Sequence, residues 1–314
     1  MIFDELRAFL VVARQGSFLA AAVTLGVSRT TLRRQVDALE AEAGVALLRR
    51  ARTGVELTDA GRQLLARGEV LDQEFGALLH AIRETHSHPE GEVRLLLPVG
   101  LPPELLSAIF AMFRAAWPAV TVRSRYHEDP LATNLSEVDL VVWFGDASPR
   151  GAWEVHTVHA MRCRLLASRT YLAARGTPRS LADLAAHDLL AWSAPGEDRA
   201  RLTLRSGVLH AITPVLTCTS VHELHECAQL GLGIAWVPDG GVPLPPGREP
   251  LVRVLEEIVG APLELRLAVP RALADVPKVR VFIDAIASLR AFLPQGEPDE
   301  APAKKTEARA ARRR

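Results

Sequence analysis

The sequence predicts an α/β protein overall, with an N-terminal winged helix-turn-helix at residues 1–58, a long linker helix at 59–86 and a larger α/β region beyond it. Three patterns carry that prediction. Near the N-terminus, apolar stripes at helical spacing are separated by glycine-containing turns and followed by a short hairpin pattern rich in Val and Leu. From Leu64 to Ile82, positions recur at alternating intervals of four and three, the rhythm of a coiled coil. From residue 93 onward, strand-like and helix-like stretches alternate.

Taken in order, Leu6, Phe9, Leu10 and Ala13 fall on one helical stripe. Ser17 is placed to cap a second, short helix, because its hydroxyl can accept an orphan backbone amide; Phe18, Ala21, Ala22 and Leu25 form the inner face. Gly26 ends that helix. Ser28 caps a third, with Leu32, Val36 and Leu39 inward and Thr30, Arg33 and Arg34 on the opposite side. Val45 to Thr58, around the turn sequence RTG, reads as a wing. A helix of this kind fits the major groove, where arginine reads guanine and short hydroxyls reach base edges or phosphate, while wing arginines settle on the backbone. The candidate DNA contacts are therefore Ser28, Arg29, Thr30, Thr31, Arg33 and Arg34 on the helix, and Arg50, Arg52 and Thr53 on the wing. The alternative is a solvated basic face balanced by Asp37 and Glu40; the turn, cap and wing favour the groove.

Whole-chain charge selects no partner, since 37 Lys and Arg balance 37 Asp and Glu over 314 residues. A hydrophobic content of 48% describes a folded soluble chain, and no apolar run approaches the roughly 20 residues that span a bilayer. Asp4, Glu5 and Arg7 interrupt the N-terminus, which lacks the pattern of a secretory signal, so a cytoplasmic protein without a membrane partner is expected. Cys163, Cys218 and Cys227 show no C-x-x-C spacing and cannot all pair, which makes free thiols the default. No G-x-S-x-G elbow appears, and neither an enzyme nor a cofactor is expected.

The stretch LRAFLVVARQGSFLAAAVTLGVSRTTLRRQVDALEAEAGVALLRRARTGVELTDAG, residues 6–61, resembles the DNA-binding segment of the LysR-type transcriptional regulators. The family's F-x-x-V-A-x-x-G-S-F-x-x-A-A opening, Q-[IV]-x-x-L-E helix end and L-T-x-A-G wing exit fall on Phe9 to Ala22, Gln35 to Glu40 and Leu57 to Gly61. Two departures stand out: Arg33 occupies a position usually held by serine, and LLRR replaces L-F-x-R, with Leu48 for the phenylalanine. The first bears on the operator sequence, the second on packing.

The stripe of Leu64, Leu71, Phe75, Leu78 and Ile82, with Gly68 between, needs a partner, either the same chain or a second copy. In the family this helix pairs antiparallel with that of a second subunit, which would set two recognition helices about 34 Å apart. The resemblance thus implies a homodimer or homotetramer. SHPEGE, residues 87–92, suits a hinge. Beyond it, VDLVV, ASRTYLAARGTPRSLADLAAH, LGLGIAWVP and VRVFIDAI resemble the family's effector-binding region, extending the likeness to about Phe292. Such regions resemble periplasmic binding proteins, so residues 93–294 should hold two subdomains, about 93–163 with 266–293 and 164–265, flanking a cleft.

Ligands of doubly wound sheets sit beyond the carboxyl ends of strands. That rule points to Val99, Gly100, Leu101, Pro102, Phe144, Gly145, Trp192, Ser193, Thr219, Ser220 and His222. Family members that bind carboxylates often carry Ser or Thr after the first of these strands, whereas PVGLPP offers only backbone amides. A less polar effector, or none, is expected.

Other constellations carry less. In HELHEC, residues 222–227, the histidines are three apart rather than the four a metalloprotease helix needs, so no metal is expected. His156 and His159 lie an odd number apart in a strand, which predicts opposite faces. GLGIAW, residues 231–236, lacks the third glycine of a dinucleotide fingerprint and reads as a turn into a buried strand. Residues 295–314 hold no aliphatic side chain larger than proline and read as a disordered tail. Together these features point to a sequence-specific transcriptional regulator. It would grip an interrupted inverted repeat near promoters, answer to a small-molecule effector, and have RNA polymerase as a further partner. The alternative is a cytoplasmic small-molecule-binding α/β protein without a gene-regulatory role.

Overall fold

The N-terminal unit is built from α1 (Ile2–Gln15), α2 (Phe18–Leu25), α3 (Arg29–Ala43) and a hairpin of β1 (Leu48–Ala51) and β2 (Gly54–Leu57) in a computed structural model that describes residues 2–51, 54–83, 88–195, 200–240 and 248–289. Both predicted caps form: Ser17 Oγ accepts from the Ala20 amide, and Ser28 Oγ accepts from the Thr31 amide at 3.0 Å. Gly26, in the left-handed region, closes α2 by donating to the carbonyls of Ala22 and Val23. The inward stripes meet in one core containing Phe9, Leu10, Ala21, Leu32, Val36 and Leu47.

α4 (Asp59–Arg83) leaves this unit under the control of Thr58, whose hydroxyl accepts from the Gly61 amide at 3.0 Å and donates to the Ala46 carbonyl at 2.7 Å. Its apolar residues divide along its length. Leu64 is half-buried in the N-terminal core, and Gly68 is buried against Leu6 and Leu10, where a side chain would crowd both. Further on, Ala77 and Ala81 pack on the larger region, and Glu74 accepts from the Ala152 amide at 2.9 Å. Phe75 stacks on Phe3 with ring centroids 4.1 Å apart. Leu71, Leu78 and Ile82 stay exposed by 52%, 49% and 58%.

The larger region contains β3 (Gly91–Pro98), α5 (Pro103–Ala116), β4 (Val120–His127), β5 (Leu140–Phe144), β6 (Trp153–Ala167), α6 (Arg169–Arg175), β7 (Leu189–Trp192), β8 (Arg201–Thr203) and β9 (Leu209–Ala211). It continues through β10 (Leu216–Cys218), α7 (Val221–Gln229), β11 (Ile234–Asp239), β12 (Val252–Val254), β13 (Ala261–Pro270) and α8 (Pro277–Leu289). β3 begins at Gly91, inside the stretch read from sequence as a hinge. The main sheet runs β10-β7-β11-β6-β13-β5-β3-β4, with β12 also on β6, while β8 and β9 form a separate hairpin.

β6 and β13 are long antiparallel strands that cross both halves, pairing from Trp153 with Pro270 to Cys163 with Ala261. On one side of the crossover lies a core of Val93, Leu95, Leu97, Leu140, Leu267 and Phe282. On the other lies a core of Leu165, Leu190, Leu224, Ile234 and Val237. The pairing skips one residue at Val158, so His156 stands opposite Leu267 and His159 opposite Leu265. Leu265 and Leu267 share a face. The predicted opposite placement of the two histidines is therefore corrected, because a bulge resets strand parity.

One buried charge ties the linker to the sheet. Asp139 is fully buried, accepts from the Arg94 amide at 2.8 Å and pairs with the Arg94 guanidinium at 2.7 Å. His80 of α4 lies 3.5 Å from the same carboxylate.

Candidate nucleic-acid interface and effector cavity

α3 stands beside the wing with Ser28, Arg29, Thr30 and Arg34 exposed and Thr31 and Arg33 half-buried. The hydroxyls of Thr30 and Thr31 both lie 2.8 Å from Ser28 Oγ, so the three are held together at the start of the helix. The Arg33 guanidinium sits over the Phe18 ring, 5.4 Å from its centroid, in a cation–π contact that fixes its stem. Among the described residues, no carboxylate pairs with Arg29, Arg33 or Arg34. The balancing role weighed for Glu40 does not occur, because its Oε1 accepts from the amides of Leu47 at 2.7 Å and Leu48 at 2.9 Å. Glu40 thereby fastens the recognition helix to the first strand of the wing. Arg49 pairs with Glu56 across the hairpin at 2.8 Å. Arg52 and Thr53 lie outside the described residues, and Arg50 is described by its backbone alone.

The second candidate site lies between the two halves of the larger region. A cavity of about 770 Å³ receives Leu105 and Phe144 from one half, His225 and Arg253 from the other, and His159 and Met161 from the crossing strand β6. A smaller space of about 280 Å³ is bounded by Val99, Trp143, Phe144, Trp192 and Thr219. Of the residues pointed to by the strand-end rule, Gly100, Leu101, Pro102, Phe144 and His222 line the larger cavity. Val99, Trp192 and Thr219 join Phe144 around the smaller one. Gly145, Ser193 and Ser220 line neither. Ser220 instead caps α7, accepting from the Glu223 amide, and the Ser193 amide donates to the Cys218 carbonyl.

The two halves touch at Gly100, whose carbonyl accepts from the His222 amide at 3.1 Å. Gly100 has φ +93°, and a Cβ there would lie 2.3 Å from the Val221 nitrogen, so only glycine permits this approach. Phe144 meets Trp192 edge-on at 5.3 Å on the other side of the junction. His159, Met161, Leu105, His225, Asp239 and Arg253 were not found from the sequence, although all line the larger cavity. Two of the three cavity histidines are committed to backbone: His159 Nε2 lies 2.9 Å from the Gly240 carbonyl, and His225 Nε2 lies 3.0 Å from the Pro238 carbonyl. Burial pushes the His225 imidazole below its ordinary range. Glu226 pairs with Arg248, which gives HELHEC a structural explanation. Among the described residues, no group of three or more His, Cys, Asp or Glu is arranged to hold a metal ion, and no helix is long and apolar enough to cross a membrane.

Comparison with known proteins assigns both units. Residues 3–62 match the family model described as bacterial regulatory helix-turn-helix protein, lysR family, and residues 86–290 match the LysR substrate binding domain. The chain is 30% identical over 237 residues to the HTH-type transcriptional regulator CrgA of Neisseria meningitidis serogroup C, covering 75% of this chain and 79% of that protein. It is 28% identical over 188 residues to the HTH-type transcriptional regulator DmlR of Escherichia coli K12, covering 59% of this chain and 60% of that one. Among solved structures, CrgA from Neisseria meningitidis aligns with a TM-score of 0.55 at 26% identity, over 91% of this chain and 98% of the other. The full-length Vibrio cholerae virulence activator AphB shares the fold, with a TM-score of 0.58 at 22% identity over 92% of this chain and 99% of that one. This is a family of DNA-binding transcriptional regulators that act as oligomers and bind small-molecule effectors, not a family of enzymes. With a capped basic helix and wing matching one family model, and a crossed two-core α/β region matching the other, the chain belongs to the LysR family of transcriptional regulators.

Proposed function

We propose that this regulator binds an interrupted inverted repeat near promoters as a homodimer or homotetramer, in the cytoplasm, with RNA polymerase as a further partner. The observation that carries the DNA half is the presence of exposed Arg29 and Arg34, without carboxylate partners among the described residues, on a helix fastened to its wing by Glu40. Guanidinium groups left unpaired at a groove-sized helix are available for phosphate oxygens and guanine edges. Ser28, Thr30, Thr31 and Arg33 complete the helix contacts, with Arg50, Arg52 and Thr53 on the wing. The exposed Leu71, Leu78 and Ile82, beside Phe75, form the seam for a second copy, because an apolar stripe of this length is costly to leave in water. Leu64, half-buried against the N-terminal core, continues the same stripe toward the start of the helix. The effector occupies the 770 Å³ cavity, whose walls come from both halves, so its binding is sensitive to their relative placement.

The test is selection of bound fragments from sheared genomic DNA by the full-length protein, followed by sequencing and a mass measurement of the complex. Two oppositely oriented half-sites spaced by whole turns of the duplex, bound by an even number of chains, are expected. Fragments without a shared motif, or a protein that stays monomeric on DNA, would overturn the proposal.

A further inference from the structure

The cavity between the two halves has a charge balance and a hydrogen-bonding balance that select its ligand. Four carboxylates line it, those of Glu104, Glu226, Asp239 and Glu256, against the guanidinium groups of Arg248 and Arg253. Asp239 and Glu256 are held by Arg253 at 2.8 and 3.5 Å, and by Arg164, which stands behind them, at 3.7 and 2.8 Å. Glu226 is held by Arg248. Glu104, in the first turn of α5, has no ion-pair partner among the described residues, and Arg248 is near enough only to feel its charge. One negative charge at the cavity wall is thus left over.

One helix start that could receive an anion in this cleft is already used. A helix N-terminus attracts carboxylates through free amides. At the start of α7, the amide of His222 donates to the Gly100 carbonyl, that of Glu223 to Ser220 Oγ, and that of Leu224 to the Ser220 carbonyl. Of the three histidines in the wall, His159 and His225 each donate from Nε2 to a carbonyl, which leaves their Nδ1 atoms as lone-pair acceptors, and His222 stands beside them. The capacity of His159 and His225 is therefore for donors, while Leu101, Leu105, Phe144, Met161 and Leu265 supply an apolar wall.

We infer that this cavity takes an apolar body carrying an ammonium group, an alkyl- or arylamine, and disfavours the carboxylate of the same shape. This rests on the proposal that the cavity is the effector site. An ammonium offers three donors and a positive charge to Glu104, whereas a carboxylate adds charge of the sign the wall already carries.

The test is calorimetric titration of the full-length protein at neutral pH with three probes of matched shape: 4-phenylbutylamine, 4-phenylbutan-1-ol and 4-phenylbutyrate. The amine is expected to bind at least about tenfold more tightly than the carboxylate. Glu104→Gln, an exposed change that leaves the fold alone, should weaken the amine about fivefold and leave the alcohol unchanged. Leu105→Trp, which fills the cavity, should abolish both. Tighter binding of phenylbutyrate than of the amine, itself lost in Leu105→Trp, would overturn the ligand class and leave the cavity as the effector site. Amine binding indifferent to Leu105→Trp would remove the cavity from consideration altogether. Absence of heat from all three probes at millimolar concentration would overturn the amine inference.

Discussion

Replacing Arg34 by Ala should change how binding to duplex DNA depends on salt. Each phosphate neutralised by a side chain contributes about 0.9 to the slope of log affinity against log salt. Arg34 is exposed and has no carboxylate partner among the described residues, so it reaches DNA without first giving up a bond. Loss of that one contact should flatten the slope by about 0.9, which between 50 and 200 mM salt amounts to roughly a 3.5-fold smaller loss of affinity. Arg49 is the internal comparison, since it must leave Glu56, 2.8 Å away in an exposed pair worth up to about 1 kcal/mol. Arg49→Ala should therefore flatten the slope less. Fluorescence anisotropy of a labelled duplex, titrated with the full-length protein at several salt concentrations, measures both. If Arg29→Ala and Arg34→Ala each leave slope and affinity untouched, the recognition helix does not face the duplex as argued.

Glu40→Ala leaves two partly buried wing amides without their acceptor and removes charge-assisted bonds worth about 1.5–3 kcal/mol each, so operator affinity should fall steeply while Glu40→Gln retains part of it; equal affinities for the two variants would show that the wing holds itself. Leu78→Asp places a charge on the exposed linker stripe and should convert the oligomer to monomer in a mass measurement, and an unchanged mass would move the seam elsewhere. Burial holds the His225 imidazole below its ordinary value of about 6.5, so as the pH falls through that value the unfolded chain takes up a proton that the folded chain refuses. The stability this contributes is full above about 6.5 and is lost on acidification, so the melting temperature should drop more steeply with falling pH in the wild type than in His225→Gln; parallel curves would refute that origin.

What the sequence revealed was local. Ser17, Ser28 and Gly26 punctuate the first helices through bonds to residues a few positions away, and those bonds exist wherever the helix does. The apolar stretch VRLLLPV, residues 93–99, likewise reads as a strand, one whose Leu95 and Leu97 face one core while Leu96 faces another. What stayed hidden depends on partners distant in the chain. Glu40 reads as a surface charge until the wing folds back over it. The parity of His156 and His159 is undone by a bulge that exists only where β6 meets β13. The strand-end rule found Gly100, Leu101, Pro102, Phe144 and His222, but it had no means of finding Met161 or Arg253. Those residues reach the cavity from an antiparallel crossing strand and from the short strand paired beside it. The linker stripe was legible as apolar spacing, yet spacing alone did not divide it between its own chain at Leu64 and solvent at Leu78.

The continuous pairing of β6 with β13 also sets how a bound molecule can act. Because that ribbon is a spine common to both halves, pulling them straight apart would tear interstrand bonds, whereas wringing them about its length bends backbone without breaking any. Of the two motions, torsion is the one that leaves the pairing intact. With α4 resting on one half through Ala77 and Glu74, a few degrees of wringing would be delivered as a swing of the basic helices at the far end of a long lever.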